Sequence, residues 1–339
     1  MSAGDRFIAH DTSFRKVTGS AARLVTVVGC DAHEGPVYRT TDKALYVTSL
    51  PAPGRPAVIK RIALDDEHFP LPSERVTTVA SGTVMPNGMA LDHHGCLVVC
   101  EQGDRDHDAC ISRVDPATGE RVVVAHRWRG QRFNSPNDVV VAGDGALWFT
   151  DPAYGYLQGF RPEPEVGDFV YRCDPDSGAV DVVADGFDKP NGIALSPDGS
   201  TLYVTDSGAN QAAGTFDPAR PHHLVSFTVT AGRRLTGRRV VAVTAPGFPD
   251  GLKVDADGRL YVSSSSGVLV LSPEGDLLGE IVVPGAVNFT WGGAGGNVLL
   301  ITADTAVWAA VLAVAGPAAA TRRAGADNLS VSVPVTTGA

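Results

Sequence analysis

The sequence has few cysteines, little positive charge and no long hydrophobic run. Its five cysteines are an odd number without C-x-x-C spacing, which argues against a disulfide framework or a zinc–cysteine site and favours buried thiols. The formal net charge of −10 argues against nucleic acid and anionic membranes as partners, because neither would meet a basic surface. The partner is therefore expected to be neither nucleic acid nor membrane.

We expect neither a membrane span nor a secretion signal in this sequence. The N-terminal stretch MSAGDRFIAHDTSF lacks the basic start and apolar core of a signal peptide. The longest apolar run, AVWAAVLAVAG around Trp308, is too short to span a bilayer. We therefore expect a soluble, cytoplasmic protein.

Helical periodicity is absent as well, and short strand-like runs take its place. Runs of β-branched and aromatic residues are bounded by Gly, Pro, Asp and Ser, in a chain with 38 Gly and 23 Pro. They recur as a motif at intervals of roughly fifty residues, a period typical of propeller blades. Each copy has a leading polar residue, a strand, a turn, a second strand and a trailing residue 14 or 15 positions after the first. The six pairs are Glu34 and Ser49, Asn87 and Glu101, Asn137 and Asp151, Asn191 and Asp206, Asp250 and Ser264, and Asn288 and Ala303.

Six copies predict an all-β fold, a six-bladed β-propeller of four-stranded antiparallel blades around a central channel. The two strands of each copy form a hairpin, and the sequence between copies supplies the outer strands. In the first blade these are the segments AVIKRIALD and ERVTTVAS. We expect residues 1–20 to be an N-terminal lead-in and residues 21–315 to be one propeller domain. Residues 316–339 break the pattern, and we expect a tail that is partly disordered or adds an edge strand.

The repeat also predicts a ring of polar side chains. The innermost strand of each blade lines the channel, so the residues that open these strands should converge on one mouth from six directions. Oxygen-only ligands select a hard cation, with Ca²⁺ first and Mg²⁺ or Mn²⁺ as alternatives; Zn²⁺ is less expected. Glu34 and Asp250 balance a divalent charge, and the Asn oxygens add ligands without repulsion.

A structural interpretation of the same residues competes with the metal ring. Asn-Gly and Asp-Gly pairs are ordinary turn formers. A turn alone, however, does not require Glu34 and Asp250 at equivalent places in two blades. The same mouth should also contain Glu101, Asp151 and Asp206. For these three residues, capping of turns is favoured over a role in the substrate pocket. The nine His residues lie mostly in loops and are interpreted as solvated.

At these residues the sequence resembles the senescence marker protein/gluconolactonase family of six-bladed propellers. The matching pieces are EGPVY, PNGMALD, RFNSPNDVVVAGDGALWFTDPAYG, KPNGIALSPDGSTLYVTDS and FPDGLKVDADGRLYV, which together span roughly residues 30 to 315. The long piece from Arg132 is specific, whereas a lone PNG would be weak. Diisopropyl fluorophosphatase and paraoxonase are more distant relatives with the same architecture.

The resemblance implies a lactonase that opens a cyclic ester of a small-molecule substrate, with a calcium-type ion at the channel mouth. By motif position, the implied metal ligands are Glu34, Asn137, Asn191 and Asp250, and Asp250 is also the implied general base. The implied substrate pocket comprises Asn87, Glu101, Arg132, Asp151 and Tyr154. Asn134 and Asp138 are expected to shape the turn that presents Asn137.

Two other functions remain open at this point. The same metal ring could serve other chemistry, such as phosphotriester hydrolysis or the rearrangement, dehydration or cyclisation of a natural-product intermediate. A non-catalytic propeller that binds a ligand or protein on its face is the more distant alternative. The pair Glu34 and Asp250 argues against the scaffold, because a binding face need not keep an acid at the mouth. Lactone hydrolysis is therefore preferred.

Overall fold

The computed structural model describes residues 6–64, 69–212, 214–231 and 233–317. The predicted edge strand in the tail, LSVSVPV, lies outside the described residues. Within those ranges, no helix is long and apolar enough to cross a membrane.

The strands form antiparallel sheets that follow one another along the chain. Ahead of the first sheet lie strand β1 (Phe7–Ala9), helix α1 (Phe14–Thr18) and strand β2 (Arg23–Ala32). Blade 1 consists of β3 (Glu34–Arg39), β4 (Ala44–Thr48), β5 (Ile59–Ala63) and β6 (Val76–Val79), with a 3₁₀ turn at Ser73–Arg75. Blade 2 consists of β7 (Pro86–Leu91), β8 (Leu97–Glu101), β9 (Cys110–Val114) and β10 (Arg121–Ala125). A ribbon follows, formed by β11 (Arg127–Trp128) and β12 (Gln131–Arg132).

The second half of the chain repeats the plan. Blade 3 consists of β13 (Val139–Val141), β14 (Leu147–Asp151), β15 (Phe169–Cys173) and β16 (Val180–Ala184), and helix α2 (Tyr154–Leu157) follows β14. Blade 4 consists of β17 (Pro190–Leu195), β18 (Thr201–Asp206), β19 (His223–Thr230) and β20 (Arg234–Val243). Blade 5 consists of β21 (Leu252–Val254), β22 (Leu260–Ser263), β23 (Gly267–Leu271) and β24 (Leu277–Val282). Blade 6 begins with β25 (Asn288–Gly292) and β26 (Val298–Val311).

Blade 6 closes the ring with strands from both ends of the described chain. Fully extended, the 14 residues of β26 would span about 46 Å. Asn297 and Leu312, which flank it, are nevertheless hydrogen bonded: the Leu312 amide donates to the Asn297 carbonyl at 3.0 Å. The strand therefore reverses at Asp304, where φ is 52°. Its first arm pairs with β25 and its second with β2, which supplies the fourth strand.

This architecture confirms the predicted six-bladed propeller, including the outer strands of blade 1. The N-terminal segment also contributes to blade 5, where β1 pairs with β24 as a fifth strand. Apolar side chains fill the spaces between neighbouring blades. One such cluster joins Val37 and Tyr46 of blade 1 to Met89 and Val99 of blade 2.

The Asn-Gly and Asp-Gly pairs have a role that the turn interpretation did not foresee. Gly88 and Gly192 lie inside the innermost strands β7 and β17, where the next blade approaches closely. The Gly192 amide donates to the Asp250 carbonyl at 3.2 Å, and an added Cβ would overlap that oxygen and lie 2.9 Å from the Leu252 nitrogen. The glycines therefore permit the contact between blades that brings the polar residues together.

Gly192→Ala is expected to destabilise the fold by about 1–3 kcal/mol, because the overlapping atoms are backbone and the two blades must move apart. Gly143→Ala is the matched control, since a Cβ at Gly143 meets nothing within 4 Å. Urea unfolding of the two variants tests this, and equal midpoints would contradict the role given to Gly192.

Candidate active site

The structure brings the six leading residues together through contacts that run around the channel mouth. The Thr48 hydroxyl donates to the Asn87 carbonyl at 3.1 Å, and the Gly88 amide donates to the Asn137 carbonyl at 2.8 Å. The Thr150 hydroxyl donates to the Asn191 carbonyl at 2.7 Å. The Asp250 carbonyl accepts a hydrogen bond from the Gly192 amide, as described above. Gly251 packs closely against Asn288. The Asn288 side-chain amide closes the circle by donating to Glu34 Oε2 at 2.8 Å.

Irregularities of the innermost strands place these residues at the mouth. The pairing register shifts between Glu34 and Val37 in blade 1, between Pro86 and Met89 in blade 2, and between Pro190 and Ile193 in blade 4. Such bulges re-aim side chains and are frequent beside active sites. The irregularity therefore includes Glu34, Asn87 and Asn191, the leading residues of blades 1, 2 and 4, and takes them out of the regular alternation.

The two carboxylates of the ring lie close enough to repel each other. Burial raises the pKa of Glu34 to about 8, and the charges of Asp250 and Asp138 add to the rise. Burial likewise raises the pKa of Asp250 to about 7, with Asp138 and Asp304 contributing, although a hydrogen bond from Asn191 opposes the rise. Asp250 keeps some solvent access, whereas Glu34 is 3% exposed. A cation at this mouth would relieve the repulsion and favour both ionised forms.

The amides of the ring do not all present oxygen in the same way. The Asn137 side-chain oxygen is buried without a hydrogen-bond partner, an arrangement that is costly unless another group engages it. The Asn288 oxygen, in contrast, accepts from the Phe289 amide at 2.8 Å and from Lys253 Nζ at 3.3 Å. Asn288 therefore serves as a donor to Glu34, while Asn137 is available as a ligand.

The donor set fits a hard divalent cation. Among the described residues, no three His, Cys, Asp or Glu side chains are grouped to hold a metal ion. The ring differs from such groups because two of its predicted ligands are amides and only two are acids. The four are Glu34, Asn137, Asn191 and Asp250. Glu34, Asp138 and Asp250, when ionised, carry three negative charges and Lys253 carries one positive charge, so the net charge of −2 matches a divalent ion. Oxygen ligands of this kind suit Ca²⁺, Mg²⁺ or Mn²⁺.

Tyr154 is the predicted pocket residue with the most direct relation to the ring. Its hydroxyl donates to the Ser207 carbonyl at 3.5 Å and is also hydrogen bonded to the Asn191 side chain. Burial raises the pKa of the phenol well above its usual value, with the charge of Asp250 contributing. Tyr154 therefore remains a neutral donor beside two of the predicted ligands.

The other predicted pocket residues have structural partners. Asp151 accepts hydrogen bonds from the Asn134 and Ser135 amides at 2.9 and 2.8 Å, which fixes the segment that leads to Asn137. Burial raises the pKa of Asp151 to about 8. Glu101 pairs with Arg121 at 2.6 Å and accepts from the Val84 amide.

Arg132, the remaining charged residue of the predicted pocket, pairs with Glu165 through several contacts at 2.7 Å. The neighbouring loops are tied together by Arg161, a residue that the sequence did not single out. Arg161 is 5% exposed, and its guanidinium donates to four backbone carbonyls, those of Asp104, His107, Phe133 and Asn134. Arg161 therefore holds the loop that contains Asp104 and His107 against the segment before Asn137.

Two further features departed from the sequence interpretation. Asp138, expected to shape a turn, instead lies in the channel with one oxygen 3.7 Å from Lys253 Nζ. His33, interpreted as solvated with the other His residues, contacts Asp304 at 2.7 Å between blades 1 and 6. Burial would lower the pKa of His33, but the hydrogen bond to Asp304 and the charges of Glu34 and Asp304 outweigh it and raise the pKa.

Fold and site together define a six-bladed propeller with a ring of side chains that carry oxygen atoms at one mouth of its channel. The chain belongs to the SMP-30/gluconolactonase/LRE-like family, whose model matches residues 32–305.

Individual relatives agree with this assignment. The chain is 34% identical over 207 residues to a gluconolactonase of Zymomonas mobilis, in a match that covers 58% of this chain and 53% of the relative. It is 29% identical over 280 residues to a lactonohydrolase of Aspergillus oryzae, with 76% and 62% covered. The chain thus spans roughly half to three-fifths of the length of these curated relatives.

Solved structures match over more of their length. A gluconolactonase from Xanthomonas campestris is 34% identical, with a TM-score of 0.75 and coverage of 91% of this chain and 95% of that one. A calcium-binding protein, regucalcin, from Agrobacterium tumefaciens has a TM-score of 0.63 at 19% identity, covering 87% and 95% of the two chains. The second likeness supports the fold alone.

Proposed function

We propose that this protein is a divalent-metal-dependent hydrolase that opens a lactone. The observation that carries the proposal is the buried, unpartnered oxygen of Asn137 in a ring that also contains Glu34 and Asp250. Membership of a family that includes proteins named gluconolactonase and lactonohydrolase supports the substrate class. A cytoplasmic location is part of the proposal.

Glu34, Asn137, Asn191 and Asp250 would hold the cation, with Ca²⁺ the first candidate and Mg²⁺, Mn²⁺ and Zn²⁺ the alternatives. A bound divalent ion would supply Lewis acidity, which polarises a lactone carbonyl and stabilises negative charge that develops on its oxygen. Asn288 would hold Glu34 in place through its hydrogen bond to Glu34 Oε2, which leaves Glu34 Oε1 free. The neutral amides would supply oxygen without adding to the repulsion between the two carboxylates.

Asp250 would act as the general base. Asp250 is half-buried whereas Glu34 is 3% exposed, so Asp250 is the acid of the ring that lies nearer to solvent and to an attacking water. Asp250 would take a proton from that water as the water oxygen bonds to the carbonyl carbon, and would return it to the ring oxygen when the ring C–O bond breaks. The hydrogen bond from Asn191 favours the ionised, proton-accepting form of the carboxylate.

Tyr154 and Asn87 would contact the substrate beside the ring. The neutral phenol of Tyr154 could exchange its 3.5 Å hydrogen bond to the Ser207 carbonyl for one to a substrate oxygen, and Asn87 offers a side chain at the same level of the mouth. Glu101, Arg132 and Asp151 would complete the pocket indirectly, since their charged groups already pair with Arg121, Glu165 and backbone amides.

A pH-stat assay of calcium-loaded protein against a panel of sugar and aliphatic lactones tests this function, with Asp250→Asn as control. We expect acid release by the wild type alone, and the preferred ring size and hydroxyl pattern would narrow the substrate class. Silence across the panel from protein that binds calcium would contradict lactone hydrolysis and favour other chemistry at the same ring, such as phosphotriester hydrolysis.

A further inference from the structure

A lysine lies inside the channel, next to the ring. Lys253 is on β21, the innermost strand of blade 5, three residues after Asp250. Its Nζ donates to the Leu252 carbonyl at 3.0 Å and to the Asn288 side-chain oxygen at 3.3 Å, and it lies 3.7 Å from Asp138 Oδ2. The Lys253 side chain is 23% exposed and that of Asp138 is 2% exposed. The ammonium is therefore a fixed internal cation shared by blades 3, 5 and 6.

The ammonium determines which way the Asn288 amide points. The Asn288 oxygen accepts from Lys253 and from the Phe289 amide, so its NH₂ group must face the other way, where it donates to Glu34 Oε2. A flipped amide would place NH₂ against two donors and oxygen against a carboxylate. The hydrogen-bond network thus allows one orientation only.

One oxygen of the Glu34 carboxylate is already engaged in hydrogen bonds. Its Oε2 accepts from both Asn288 and the Gly35 amide, at 2.8 and 2.9 Å. These two bonds fix the carboxylate plane and leave Oε1 for another partner. A path of direct contacts therefore runs from Lys253 through Asn288 to Glu34, across three blades.

Lys253 also offsets a buried charge. Asp138 Oδ2 lies 3.7 Å from the Lys253 ammonium, and the Asp138 carboxylate also interacts with the Asn288 side chain. In four of the six blades Gly follows the leading residue, whereas blade 3 has Asp138 and blade 6 has Phe289 at that position. The Asp138–Lys253 pair is thus an addition to the repeat that keeps the net charge of the channel unchanged.

We propose that Lys253 is a positioning residue of the active site, which orients Glu34 for cation binding through Asn288. This inference rests on the proposed metal site but not on the identity of the substrate. Lys253 acts by fixing the orientation of the Asn288 amide and of Glu34, and Asp138 balances the positive charge of Lys253.

The experiment separates orientation from charge. Calorimetric titration with Ca²⁺ is performed on metal-free wild type, Asp138→Asn and the charge-balanced double variant Lys253→Met/Asp138→Asn. The double variant keeps the net charge of the wild-type channel but loses the donor to Asn288. We expect its Ca²⁺ affinity to be about tenfold weaker than that of the wild type, in the range seen when groups that orient ligands are removed. Wild-type affinity in the double variant would overturn the proposal, because it would mean that Lys253 acts only as a charge.

Two further variants make the route specific. If Lys253 acts through Asn288, adding Asn288→Ala to the double variant should weaken Ca²⁺ binding by less than threefold more, since coupled residues are not additive. Lys253→Arg, which keeps both cation and donor, should bind Ca²⁺ within threefold of the wild type. If adding Asn288→Ala to the double variant weakened Ca²⁺ binding by threefold or more, the path from Lys253 through Asn288 would be contradicted.

Thermal unfolding of every variant identifies any that fail to fold; if the double variant is one of them, Lys253→Leu/Asp138→Asn replaces it, with the same tenfold loss expected and wild-type affinity again overturning the proposal. Hydrolysis is measured separately on the same samples. Ca²⁺ binding that follows the predicted order without lactone turnover would refute the proposed substrate while supporting the role of Lys253. Wild-type protein that binds no divalent cation would overturn both.

Discussion

Asp250→Asn is expected to lower kcat/KM for the lactone substrate by about 10²–10⁴-fold, the range associated with loss of a general base. The substitution keeps the shape of the side chain and an oxygen that can face the ring, but its amide cannot accept a proton from water. Loss of one negative charge should also weaken Ca²⁺ binding. The rate is therefore measured at Ca²⁺ concentrations that saturate the variant, so that the remaining defect reports on proton transfer.

The matched control is Asp257→Asn, which removes a carboxylate of the same blade. Asp257 lies after β21, and its side chain is 64% exposed in an ion pair with Arg259. An exposed ion pair contributes little to stability, so this variant should keep the wild-type rate. A saturated Asp250→Asn enzyme that keeps more than a tenth of the wild-type kcat would show that another group accepts the proton.

Glu34→Gln is expected to weaken Ca²⁺ binding by at least about 100-fold, since loss of groups that merely orient ligands already costs 10–100-fold. The substitution removes one of the two negative charges of the ring and introduces an NH₂ group. That group would face either the Asn288 NH₂ or the cation, and both contacts are unfavourable. Isothermal titration calorimetry measures the loss directly, without reference to any substrate.

Glu274→Gln is the control for this change, because Glu274 is an exposed carboxylate in the β23–β24 turn of blade 5. The Ca²⁺ affinity of the Glu274→Gln variant should match that of the wild type. Unfolding midpoints of the two variants in the presence of EDTA distinguish a lost ligand from a damaged fold. Calcium affinity within threefold of the wild type in Glu34→Gln would remove Glu34 from the ligand set.

Much of this architecture could be predicted from the spacing of a few residues. The repeat of strands and of leading residues such as Asn87 and Asn191 implies a closed ring of blades, because each copy can bury its faces only against its neighbours. The same spacing implies that the leading residues converge, since equivalent positions in a ring lie at equal height. Their nature as oxygen donors then follows from the residue types alone.

The functions of individual polar groups in the site could not be predicted in the same way. The bulge that re-aims Glu34 and the glycine contacts between blades depend on packing that local sequence does not encode. Asn137 and Asn288 occupy equivalent places in the repeat, yet one has a free oxygen and the other has its oxygen engaged by Lys253. That difference arises from Lys253 on another blade, so only the assembled structure reveals it.

His33 illustrates the same limit. It directly precedes Glu34, but its partner Asp304 lies 271 residues away in the turn of β26, which is adjacent only after the ring closes. Nothing near either residue in the sequence indicates the pair. The closure of blade 6 by the N-terminal strand β2 is what joins them.

One divalent cation in the ring is expected to be required for lactone hydrolysis, and a parallel titration measures this requirement. Metal-free protein is titrated with Ca²⁺ while bound calcium and the initial rate of acid release from one lactone are both measured. We expect a single site per chain, with activity that rises in proportion to occupancy and disappears again on chelation. Hydrolysis at the full rate by protein with no bound divalent cation would contradict it.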